Sequence, residues 1–266
     1  AYIESGVSDN FAFRAGGAGD TQLVILRNES GEILDMASFT LKTHTYIEDE
    51  EGYYHKLLNT LFFSMVREFG ASDTVRINNR FYTFFVRWLR DHVHTLKGMK
   101  YFHPGLKSGI ELYSDFQRED GMIWDNIYKR SKDPNYWEQR FGYGGFIKII
   151  EDFKYELKRI PVENDVEFLF IEGIYYTWKA TGDTPWMISL LDKAIKAVDY
   201  SFNDEYRWSE KFRLLKRGYT IDTWDFQSGF DVALTGDPMV VKPGITQFGV
   251  MFGDNTGMAA SLKYLS

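Results

Sequence analysis

The pattern of apolar and polar positions changes period near residue 53 of this 266-residue chain. Before that point the apolar runs are short. Residues 23–26 and 33–41 flank Asn28-Glu29-Ser30-Gly31, the pattern of a β-hairpin, and Gly16-Gly17-Ala18-Gly19-Asp20 reads as a loop. From Tyr53 the spacing becomes helical. Leu57, Leu58, Leu61, Phe62, Met65 and Phe69 recur at three and four residues, and Gly70 is placed to stop the helix. A second helix is expected over 80–101, ending near Pro104-Gly105, and a third over 106–116. Residues 121–145 lack clean periodicity. Their Trp124, Tyr128, Tyr136, Trp137 and Tyr143 argue for a functional loop over a disordered one.

A helical pair follows. Asn164 can cap a helix with Glu167 three positions on, and Phe168, Ile171, Ile174, Tyr175 and Trp178 form its apolar stripe. Gly182 stops that helix, and Asp183 or Thr184 caps the next, over 186–202, with Pro185 in its first turn. So short a connection predicts an antiparallel αα-hairpin. A last helix is expected from Asp254-Asn255, carrying Met258, Leu262 and Leu265. The chain therefore reads as an N-terminal β segment over 1–52 and a mainly α domain of helical hairpins over 53–266.

Composition narrows the partners. A net charge of −7 argues against nucleic acid, since no basic excess exists to displace counterions. The 17 Tyr and 7 Trp suggest wet aromatic surfaces, as in sugar clefts or protein interfaces. With Cys absent, disulfides and thiolate chemistry are excluded. No apolar run approaches the ~20 residues of a membrane span, so no membrane partner is expected. Ala1 in place of Met suggests a cleaved signal peptide and a periplasmic or secreted protein, with a trimmed cytoplasmic chain as the alternative.

The candidate chemistry centres on 217–231, within it Asp222-Thr223-Trp224-Asp225-Phe226-Gln227. A carboxyl packed against aromatic rings loses hydration, and its pKa rises, which keeps a proton donor loaded near neutral pH. The competing explanation is an Asp capping a helix beside a core Trp.

Trp88-Leu89-Arg90-Asp91 followed by Leu96, Gly98 and Met99 resembles the sugar-binding signature of glucoamylases and of glycogen-debranching glucosidase domains. Asp120-Gly121-Met122-Ile123, the run from Asn164 to Phe170 with Trp178, and Ala180-Thr181-Gly182-Asp183 are similar to later steps of the debranching-type domains. Asp222-Thr223-Trp224-Asp225 lies where those families and the trehalases place their general acid. In this order, over 80–266, the motifs resemble the six-hairpin, (α/α)6-toroid glycoside hydrolases. The resemblance implies Asp225 as general acid, Arg90 and Asp91 as holders of sugar hydroxyls, and Trp88, Trp124 and Trp224 as stacking walls. Asn164, Asp165 and Asp222, from the same motifs, would complete the substrate-binding set. No cofactor is required.

Inversion also needs a base, about 6.5–9.5 Å from the acid. Residues 53–266 are too few for twelve helices, so the toroid is expected either to be truncated, with its base beyond Ser266, or to be a reduced relative that binds glycan without cleaving it. Asp231, Asp237 and Asp254 are internal candidates matching no family motif. A metal site at His92-x-His94 with His103 is disfavoured, because positions two apart on a helix face different sides. The expected function is hydrolysis of an α-linked oligosaccharide or glucan by inversion. The alternatives are a non-catalytic glycan-binding protein and a phosphorylase.

Overall fold

The computed structural model describes residues 20–41, 47–62, 73–103, 105–130, 145–150, 155–218, 241 and 244–266. The chain forms two compact units, Ala1–Ala71 with Met99–Pro104, and Ser72–Gly98 with Gly105–Ser266.

In the first unit, β1 (Asp20–Arg27) pairs antiparallel with β2 (Ile33–Leu41), Asp20 opposite Leu41, with a bulge between Leu26 and Arg27. This is the hairpin expected from the sequence. Asn28 builds its turn, accepting through Oδ1 from the Glu32 N–H at 2.8 Å and the Ser30 hydroxyl at 2.7 Å. Helix α1 (Tyr53–Phe62) starts where the Asp49 carboxylate accepts the N–H groups of Tyr53 and Tyr54. An acceptor there satisfies donors that a helix N-terminus leaves orphaned. The expected stretch through Phe69 and Gly70 lies outside the described residues.

The second unit opens with β3 (Asp73–Ile77) and β4 (Arg80–Phe84), paired antiparallel around Asn78-Asn79. Both asparagines have positive φ, 49° and 63°, the backbone of a two-residue hairpin turn that Asn tolerates. Here the expected helix over 80–101 is corrected. Arg80-Phe81-Tyr82-Thr83-Phe84 alternates, with Tyr82 and Phe84 buried and Phe81 exposed, and alternation selects a strand. The helix proper, α2 (Leu89–Met99), begins only after Trp88 forms a single bridge with Asn126. Helix α3 (Lys107–Asp115) follows as expected, then a three-stranded antiparallel sheet in the order β5 (Asn126–Lys129), β7 (Tyr155–Lys158), β6 (Ile147–Ile150).

Helix α4 (Val166–Thr181) packs against α3, α5 (Thr184–Ser189), α6 (Leu191–Asn203) and α7 (Phe252–Leu265). It is buried without interruption from Val166 to Ile171, as a helix at the centre of a core must be. The reversal after it has the expected chemistry. Gly182 takes a left-handed φ of 67°, and the Asp183 carboxylate accepts the Trp186 N–H at 3.1 Å, with Pro185 in the first turn. The helix expected over 186–202 is instead divided at Leu190, whose N–H bonds back to the Met187 carbonyl. Short strand pairs β8 (Trp208–Ser209) with β9 (Leu214–Leu215), and β10 (Arg217–Gly218) with β11 (Phe248–Gly249), lead into α7.

The described residues thus hold seven helices and five small antiparallel sheets, a mixed α/β fold. The expected mainly α toroid is corrected: strand hairpins occupy stretches that a succession of helical hairpins would need. No helix among the described residues is long and apolar enough to cross a membrane.

Candidate functional site

The start of α2, the loop before α4 and the start of α7 converge on a cluster of arginines and carboxylates. Helix α2 is fixed at its first residue, where the Leu89 N–H donates to the Asp125 carbonyl at 2.7 Å. One residue later, Arg90 donates from Nε and Nη2 to the two oxygens of Asp165 at 2.5 and 2.6 Å, and its Nη2 lies 3.2 Å from Glu163 Oε2. A bidentate guanidinium–carboxylate pair fixes both planes. Burial would lower the Arg90 pKa, but the Asp165 bonds and the charge of Glu163 raise it overall.

The loop from Ile160 to Asp165 is held by two buried arginines. Arg159 donates to the Glu163 carbonyl at 2.8 Å and the Ile123 carbonyl at 3.4 Å, and pairs with Glu167 at 2.9 Å. Arg207 donates to the carbonyls of Glu163 and Pro161 and to Asn164 Oδ1. Asn164 passes the link on, its amide donating to the Lys216 carbonyl at 3.1 Å. This explains why the expected Asn164–Glu167 capping box is absent. Asp165 is the N-cap and makes no side-chain cap bond, since Arg90 takes Asp165 and Arg159 takes Glu167.

Asp125 and Glu163 meet within this frame. Burial and the Asp125 charge push the Glu163 carboxyl well above the usual range. Burial also raises Asp125, against the pull of Arg159 and the Ile160 N–H that it accepts. Burial and mutual repulsion thus oppose ionisation of both carboxyls, Glu163 the more strongly. Asp254, in the first turn of α7, faces Arg217 across 3.6 Å. Burial pushes its carboxyl up to about 6, with Asp165 adding repulsion and Arg217, Arg90 and Arg207 opposing. The start of α7 is locked in place because Asn255 bonds both backbone groups of Leu215, at 2.8 and 3.0 Å.

The expected residues are distributed unevenly. Arg90, Asn164, Asp165 and Asp254 come together. Asp91 is exposed on the first turn of α2. Trp124 lies in the core, its indole N–H donating to the Phe116 carbonyl at 2.7 Å. Trp88 donates to the Tyr128 hydroxyl at 2.8 Å and packs on the small cluster of Ile160, Val162 and Val241. Asp222, Trp224, Asp225, Asp231 and Asp237 lie outside the described residues. His92 is buried, accepting the Phe85 N–H at Nδ1, while His94 is exposed beside Lys97. Sequence reasoning missed Asp125, Arg159, Glu163, Glu167 and Arg207. Their signal is charge set inside apolar runs, as in Leu157-Lys158-Arg159-Ile160-Pro161-Val162-Glu163, because a buried charge requires a partner.

No family model, curated protein or solved structure matches the chain. The resemblance to six-hairpin toroid glycoside hydrolases is therefore corrected on both counts, fold and relatives. Its motifs have local explanations. Trp88-Leu89-Arg90-Asp91 opens a helix, with Arg90 paired to Asp165. Asp120-Gly121-Met122 is a turn in which Asp120 accepts from the Met122 N–H and pairs with Arg118. Ala180-Thr181-Gly182-Asp183 is a helix stop followed by a helix cap. Short polar motifs recur wherever helices start and stop.

Proposed function

We propose that the chain is a glycoside hydrolase working by general acid–base catalysis with inversion. The supporting observation is the charge balance of the cluster. Arg90, Arg159, Arg207 and Arg217 face Asp125, Glu163, Asp165, Glu167 and Asp254. Four guanidinium groups face five carboxyls, so the centre carries no net positive charge. A phosphate or carboxylate ligand is favoured by a net positive centre, whereas a neutral, hydroxyl-rich ligand suits a balanced one. The same balance disfavours a phosphorylase. An acid–base pair needs carboxyls moved out of their ordinary range, and Glu163 and Asp254 are both moved upward. Asp225 is proposed as general acid on its sequence surroundings, Trp224 and Phe226, alone.

A second function, glycan binding without cleavage, is favoured by one specific feature. Arg90 is held by Asp165 and Glu163, and Asp125 and Glu163 are buried. The discriminating experiment is monosaccharide release from a panel of oligosaccharides. The panel spans α and β linkages, because the α-linked glucan was expected from the resemblance alone. Release by the wild type that is lost in Asp225→Asn, with oligosaccharide binding retained, is the expected result. Binding without release would make the protein a lectin-like binder, and neither binding nor release would remove carbohydrate as its ligand.

A further inference from the structure

A cavity of about 190 Å³ opens where α4, α5, α6 and α7 meet. Its floor is Ile171, Ile174 and Ala194, all buried. Its walls are half-buried, with Tyr175 and Trp178 from α4, Met187 from α5 and Tyr264 from α7. No charged side chain of the described residues lines it. Tyr175 lies ten residues beyond Asp165, and Tyr264 ten beyond Asp254, which is about 15 Å along each helix. The cavity thus stands apart from the cluster of arginines and carboxylates.

The aromatic walls are held in place before anything enters. Trp178 donates its indole N–H to Thr184 Oγ1 at 3.1 Å, and the Lys179 ammonium sits 5.4 Å from its ring. Tyr264 stacks on Tyr175, with centroids 4.1 Å apart and planes 8° from parallel, and its hydroxyl bonds to the Tyr176 side chain. Side chains already fixed lose little freedom on binding. A charged ligand would give up its hydration here and gain no partner. An apolar cavity of about 150 Å³ accepts benzene, so this one has room for a single ring with a short substituent.

We infer that the cavity is a binding site for a small uncharged ligand built on one aromatic ring. Tyr175, Trp178 and Tyr264 offer it ring faces and edges, and the Met187 thioether adds a sulfur–aromatic contact. The site goes beyond the proposed hydrolysis and does not depend on it.

Toluene is the probe, with benzoate as its charged counterpart of similar size. Titrated into the wild-type chain, toluene should raise the thermal midpoint to a plateau, as a ligand of the folded state does. It should also show nuclear Overhauser contacts from its ring to the methyl groups of Ile174 and Met187. Benzoate should do neither. Leu191→Trp on the wall and Ala194→Leu on the floor each put extra carbon into the cavity. Both should weaken toluene binding by at least about ten-fold. The assignment is overturned by a wild type without the midpoint rise or the Overhauser contacts, or by an equal rise with benzoate or in both filled variants. If neither variant folds, the Overhauser contacts in the wild type decide. A wild-type dimer that becomes monomeric in Leu191→Trp would put a second copy over the cavity and overturn the assignment as well.

Discussion

His92 shows how one residue ties the fold to pH. Its ring is buried against Phe84 and Phe85, and its Nδ1 accepts the Phe85 N–H at 3.1 Å. Burial disfavours the imidazolium and pushes the pKa down to about 3, from 6.5 when unperturbed. Unfolded chain therefore takes up a proton below about 6.5, while folded chain resists until about 3. The stabilising contribution is complete above 6.5 and is lost as pH falls through that window. Urea denaturation at pH 7.5 and pH 4.5 should show this. His92→Phe forfeits the bond to Phe85 and should be less stable at both values, but the gap between its two stabilities should be narrower than in wild type. An unchanged gap would mean that acid lability resides in other groups.

At the scale of elements, a tight constraint lies where α7 meets α4. A Cβ on Gly257 would lie 2.4 Å from the Phe168 ring, a distance that real contacts do not reach, so the ring or the helix must move. Gly257→Ala should gain helix propensity of roughly 1 kcal/mol yet lose about 1–3 kcal/mol to overpacking, for a net fall in thermal midpoint. A rise would show that Phe168 has room to turn. Constraints of this kind separate what the sequence revealed from what it hid. The β1–β2 hairpin, α3 and the Gly182-Asp183 reversal were legible because their determinants lie within a few residues: turn formers, a stop and a cap. Strand β4 was misread as the start of a helix. Five alternating residues give a weak periodic signal, and the positive φ of Asn78 and Asn79 is not written in their identity. The capping box at Asn164 failed for a different reason. Tertiary partners, Arg90 and Arg159, outcompeted the local bond for Asp165 and Glu167.

For the whole molecule, the site was half legible. Arg90 and Asp165 lie 75 positions apart, and what placed them together in the sequence reading was a resemblance that the fold does not share. Asp254 stood among the candidate bases only as an acid without a motif; its partner, Arg217, became visible once Asn255 tied α7 to β9. This pairing sets a whole-molecule expectation, because a buried carboxyl held out of its preferred state costs stability. The Asp254 pKa is raised from 3.8 to about 6. Folded chain thus binds more protons than unfolded chain between those values. Its stabilising contribution is complete below 3.8 and is lost as pH rises through 6. Above that, an ionised carboxylate remains buried beside Arg217 without a hydrogen bond to it. Asp254→Asn fixes the neutral form at nearly constant shape. At pH 7.5 it should gain on the order of 1–3 kcal/mol over wild type, and the gain should shrink toward pH 4, as read from denaturant midpoints. A variant less stable than wild type at pH 7.5 would mean that attraction to Arg217 outweighs burial. The pair would then be a stabilising salt bridge.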